Sequence, residues 1–214
     1  MTEKDAILTH LTLYEPTGNP VRFTSYTAAL RDARGITKRN PDNGRLDPQA
    51  KHGHIGSFLG AIGYLILLDH IGMCFRPKGG ARLSGEKPIA KALLSFTKLS
   101  REKIEAILEL RNRFAHDYGL CTHSRKPGQC FFFLLTARSG ELLKLPVKAW
   151  DGRFGKGCSE HVTTVDLWEL GELVEGICRR LEEMAKNEGL EIALKGGADA
   201  LQNRYWLMSP MWPA

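Results

Sequence analysis

Apolar positions along this chain recur mostly with the period of a helix. Ile55 to Leu68 (IGSFLGAIGYLILL) is an apolar run that Asp69 and His70 interrupt after 14 residues. A membrane-spanning helix needs about 20 residues, so the run predicts a helix over about 52–75 buried inside a helical domain. Its Gly56-x3-Gly60 spacing lets a second helix approach closely, in water as in lipid. Before it, Ser25 to Arg34 predicts a short helix ended by Gly35, and residues 36–51, with Pro41, Asn43-Gly44 and Pro48, predict a loop. After it comes a Gly-rich basic loop, Arg76 to Lys87, and Pro88 opens a short helix to about Lys98. Ser100 is a good N-cap for REKIEAILELRNRFAHDY, and Gly119 a plausible closing residue. The apolar runs 130–137 (CFFFLLTA) and 141–148 (ELLKLPVK) flank Arg138-Ser139-Gly140 and predict a β-hairpin. Thr164 then starts an amphipathic helix to about Asn187, ended by Gly189. Residues 1–24 and 190–214 carry weak patterns, and the chain closes on the apolar YWLMSPMWPA.

This order predicts a mainly α fold: one domain over 1–214 with a helical-bundle core at about 52–120 and 164–187. A β-hairpin at about 130–148 is inserted before the last long helix, and 190–214 forms a C-terminal tail. A length of 214 residues with 43% hydrophobic and 25% charged residues supports a real core and excludes a disordered, collagenous or disulfide-dense chain. The net charge of +6 permits a polyanionic partner without demanding one. Charge is uneven, however. Residues 160–188 sum to −5, leaving +11 elsewhere, of which 121–158 holds +5. Two readings stay open: solvated faces of opposite sign, or a basic loop-and-hairpin region beside a site that handles phosphates. Five scattered cysteines and a start, MTEKDAILTH, without an apolar leader favour free thiols in a reducing cytoplasm.

The helix 101–118 carries the candidate chemistry. Its apolar stripe is Ile104, Ile107, Leu108, Ala115 and Tyr118, and Arg111 falls on it, four residues after Ile107 and seven before Tyr118. A guanidinium there needs a carboxylate, a cluster of carbonyls or a cleft where an anion binds. Asn112 and His116 are four apart and share a face with Glu109. Arg111 and His116 are five apart and point about 140° from each other on an ideal helix. They meet on one ligand only if the helix distorts at its end or if a second copy supplies the other helix across a two-fold axis.

Arg111-Asn112-Arg113-Phe114-Ala115-His116-Asp117-Tyr118 resembles the R-polar-x3-H motif of the HEPN superfamily. It also fits the longer Arg-x4-His-x-Tyr form of HEPN toxins that pair with a minimal nucleotidyltransferase antitoxin. The upstream apolar helix with Gly56, Gly60 and Gly63 is similar to regulatory HEPN proteins of the mannitol-repressor kind, which are not known as nucleases. The first resemblance implies a HEPN-like bundle and metal-independent RNA cleavage by a homodimer. The ribose 2′-OH attacks the adjacent phosphate, His116 moves the proton, Arg111 stabilises the phosphorane-like transition state and Asn112 positions the phosphate or the His. Glu109, Arg113 and Asp117 stand around the motif as supporting residues, and no metal or other cofactor is required. Tyr118 is implied as the residue an antitoxin modifies with AMP, or a substrate contact. The second resemblance implies a non-catalytic module that binds a protein partner or a nucleotide, and a third reading makes Arg111 and His116 purely structural. The hairpin and the Trp-containing tail lie outside the minimal bundle.

Other constellations carry less. Cys121-x-His123, Cys130 and Cys158-x2-His161 lack the spacing of a standard zinc ribbon or finger. His52-Gly-His54 reads as a polar helix start, and Asp69-His70 as a satisfied polar pair or a contact behind the groove. Phe131-Phe132-Phe133 reads as strand core or as a base-stacking surface. The helix with Trp168, Leu173, Ile177 and Leu181 reads as a last core helix with a solvated acidic face.

Overall fold

In a computed structural model, residues 2–12, 24–51, 56–122, 130–153 and 158–206 are described. Seven α-helices and five short strands are found there: α1 (Glu3–Leu11), α2 (Ser25–Ile36), α3 (Phe58–Cys74), β1 (Phe75–Pro77), α4 (Pro88–Phe96), α5 (Arg101–His116), β2 (Phe132–Thr136), β3 (Leu143–Lys144), β4 (Val162–Asp166), α6 (Leu167–Lys186), β5 (Leu190–Ile192) and α7 (Gly197–Tyr205). The fold is mainly α. One continuous apolar core runs from Ile7 and Leu11 of α1 through Leu67, Leu68 and Ile71 of α3 to Leu201 of α7.

Helix α3 is the centre, packing on α2, α4, α5 and α6. Two glycines permit its close contacts. A Cβ on Gly60 would stand 2.4 Å from the Thr37 methyl group beyond α2, and one on Gly72 would stand 1.8 Å from the Pro88 carbonyl oxygen at the start of α4. Ser57 caps α3, Ser100 caps α5 through the amide of Lys103, and Pro88 occupies the first turn of α4. Helix α1, which lay in the weakly patterned segment, has a capping box: Thr2 and Asp5 exchange hydrogen bonds with each other's backbone amides.

The hairpin expected over 130–148 does not form. Strand β4 lies between β2 and β3, parallel to β2 (Phe132↔Val162 to Thr136↔Asp166) and antiparallel to β3 (Leu143↔Val165). The reason lies in VTTVD, whose β-branched residues favour an extended chain. The last long helix therefore starts at Leu167, not at Thr164. Asp166 is its N-cap, accepting from the amides of Trp168 (2.9 Å) and Glu169 (3.1 Å). The same carboxylate accepts the Ser139 amide, which pins the turn after β2. In the tail, β5 pairs antiparallel with β1 (Phe75↔Ile192) before α7.

Candidate functional site

Helix α5 buries Ile104, Ala106, Ile107, Leu110 and Phe114. That stripe differs from the expected one. Ala115 is exposed, and Tyr118 lies beyond the helix, 60% exposed, with a left-handed φ of 54°. Tyr118, not Gly119, adopts the left-handed conformation after the last turn, since Asp117 is the C-cap and its carboxylate accepts the Gly119 amide at 2.8 Å.

Arg111 sits half-buried at the edge of the stripe. Its Nε donates to Asp69 Oδ2 at 2.5 Å, with side chains 31% and 15% exposed. The other oxygen of Asp69 accepts the amide of Ile89 at 3.1 Å, in the first turn of α4. One carboxylate thus ties α3, α4 and α5 together. The terminal amino groups of Arg111 make no hydrogen bond among the described residues, so they remain available to an anion. Beside them lies a shallow apolar depression lined by Ile62, Ile66 and Phe114. The ring of Phe114 stacks on Phe58 with centroids 5.1 Å apart.

His116, the last helical residue, is exposed. No hydrogen bond joins it to Arg111 or Asn112 among the described residues. Asn112 Nδ2 donates to Glu109 Oε1 at 3.4 Å, and Arg113 pairs with Asp117 at 3.4 Å. One chain therefore gathers Arg111 with Asp69, Asn112 with Glu109 and Arg113 with Asp117, but leaves Arg111 and His116 apart.

Next to Arg111 the outer face of α3 is apolar and uncovered: Leu59, Ile66 and Met73, seven residues apart, are 56%, 48% and 42% exposed. On the inner side, His70 takes a different partner from its neighbour Asp69. His70 Nε2 lies 2.9 Å from His10 Nε2, with ring planes 4° apart, so one neutral imidazole donates to the lone pair of the other. Burial pushes His10 down to about 3, with His70 beside it acting in the same direction, and pushes His70 down to about 4.

The acidic face of α6 is not simply solvated. Glu175 is fully buried, accepting both Arg34 Nε (2.9 Å) and Nη2 (2.8 Å) and the Tyr64 hydroxyl (3.0 Å). Glu172 pairs with Arg39 at 2.7 Å, and the Arg39 guanidinium lies 4.2 Å from the centroid of a Trp168 ring. Of the three phenylalanines Phe133 is buried in the core, with Phe131 stacked on it, while the partly exposed Phe132 lies against Trp150. His161 Nδ1 lies 2.9 Å from the Ala149 carbonyl, which only accepts, so that nitrogen donates. Cys121 is a free thiol. Among the described residues no three His, Cys, Asp or Glu are grouped to hold a metal ion, while His123, His52 and His54 lie outside the described residues. No described helix is long and apolar enough to cross a membrane.

Sequence reasoning missed Asp69 as the partner of Arg111, although a signal existed: a lone acid in one apolar helix and a lone Arg on another apolar stripe. No local signal pairs His10 with His70, or Arg34 with Glu175. No family model matches the chain, and neither a curated protein nor a solved structure matches it.

Proposed function

We propose that the chain is a HEPN-type, metal-independent endoribonuclease that works as a homodimer. The observation that carries this reading is the state of Arg111. Asp69 holds its Nε, while its terminal amino groups stay unengaged beside the end of the helix that bears His116. A guanidinium fixed on one side and open on the other suits a phosphate oxygen. His116, solvent-exposed, is placed to move a proton between ribose oxygen and water. Asn112 stands one residue after Arg111, where it can position the phosphate. The two faces of α5 that bear Arg111 and His116 complete one groove when a second copy docks on the exposed Leu59–Ile66–Met73 stripe of α3. The exposed Tyr118 hydroxyl is open to AMP transfer by a partner antitoxin. The setting for this chemistry is a cytoplasmic toxin or defence effector.

A second reading rests on the same ion pair. Asp69 ties three helices through Arg111 and Ile89, which accounts for the Arg without catalysis and leaves a regulatory module that binds a protein partner or nucleotide. Incubating total RNA in EDTA with wild type, Arg111→Ala and His116→Ala separates the two. The nuclease reading expects cleavage by wild type alone, with cyclic-phosphate ends and a loss of at least about 100-fold in each variant. Equal inactivity of all three folded proteins sinks it.

A further inference from the structure

A cavity of about 460 Å³ opens beside the β1–β5 ribbon, between the loop 78–87, helix α4 and residues 193–195. It lies at the Gly72–Phe75 end of α3. The polar lining carries a single sign of charge. Arg76, Arg82, Lys91 and Lys195 line the cavity with the hydroxyl-bearing Ser84 and Ser95, and no described Asp or Glu does. Arg76 is paired with Glu191 at 2.5 Å. Arg82, Lys91 and Lys195 make no ion pair among the described residues. The acid of the neighbouring loop, Glu86, is turned to Arg101 at 2.8 Å. The floor is different in kind: Leu83 and Leu194 are apolar and half-buried, while Phe75 and Ile192 are almost fully buried.

Arg82, Lys91 and Lys195, three cations without an ion pair among the described residues, repel one another around one concavity, and low-dielectric walls focus their field into the space between them. A multiply charged anion relieves that repulsion, and two serine hydroxyls offer it further donors. The volume falls in the range of small-molecule pockets, roughly 300–1,000 Å³. We propose that this cavity binds a small ligand bearing a di- or triphosphate group, with the phosphates on Arg82, Lys91 and Lys195 and any uncharged part on the floor at Leu83 and Leu194. Arg111 does not line this cavity, and its ligand is independent of the ribonuclease reading.

Titration calorimetry of the full chain at low salt, with sodium tripolyphosphate and with ATP as probes, tests this. Both probes are expected to bind and to weaken as salt is raised. The double variant Lys91→Ser/Lys195→Ser and the exposed-loop variant Arg82→Ser should each lose about tenfold or more in affinity, a shift of about 1.4 kcal/mol. Equal affinity for the two probes assigns free polyphosphate as the ligand; tighter ATP binding assigns a ligand whose uncharged part uses the floor. Absence of binding by either probe, or undiminished affinity in both variants with circular dichroism unchanged, overturns the proposal. So does binding of a short single-stranded RNA when neither small probe binds. RNA cleavage is read in a separate assay, so failure of the nuclease reading leaves this result standing.

Discussion

Asp69 and His70 are adjacent, yet they serve opposite sides of α3: Asp69 faces Arg111 and the α4 amide, and His70 faces His10. A sequence reader sees two polar residues breaking an apolar run and cannot split them, because the partner of His70 lies 60 residues away. Arg111 was legible as a cation needing a partner; which of three partners it takes depends on how α3 and α5 pack. The His10–His70 pair has a consequence for pH. Both imidazoles stay neutral in the fold, with pKa values near 3 and 4, whereas the unfolded chain protonates them near 6.5. The unfolded state therefore binds more protons below pH 6.5, and stability falls as pH drops through that window, levelling only below about 3. Urea unfolding should show a loss of about 2 kcal/mol per histidine between pH 7.5 and pH 5. His70→Phe should remove a large part of that dependence; an unchanged slope would show that the pair is not the source.

At the scale of elements, caps and periodicity carried well. Ser100 and Pro88 placed α4 and α5 within two residues of their bounds, and the apolar run placed the end of α3, which starts at Phe58 after its Ser57 cap and not at about 52. The β-region was misread because hairpin signals are local while strand partnership is not: β2 and β3 are separated by a turn but both need β4. The α3–α4 junction depends on Gly72, whose absent side chain admits the Pro88 carbonyl. Gly72→Ala is expected to push α4 away and cost about 1–3 kcal/mol or more, read as a lower urea midpoint with unchanged helical content. A neutral Gly72→Ala would mean that the two helices separate freely.

For the whole molecule, the −5 of residues 160–188 shrinks as a surface property once Glu175 is paired inside with Arg34 and the partly exposed Glu172 with Arg39. The seven-residue-spaced stripe Leu59, Ile66 and Met73 is apolar and partly exposed along α3. If the nuclease works as a pair, Ile66→Glu should give a monomer by sedimentation and abolish RNA cleavage while the circular dichroism spectrum stays that of wild type. Cleavage by a monomeric Ile66→Glu would remove the two-copy groove. Strand β4 carries one more consequence, which concerns the order of synthesis. Both of its neighbours precede it in the chain, and the residue that pins their connecting turn, Asp166, is its last. A ribosome-bound chain that has emerged only to residue 150 holds β2 and β3 with nothing between them. The sheet closes only when the first turn of α6 is being made, so the nascent chain bears two open strand edges for that interval.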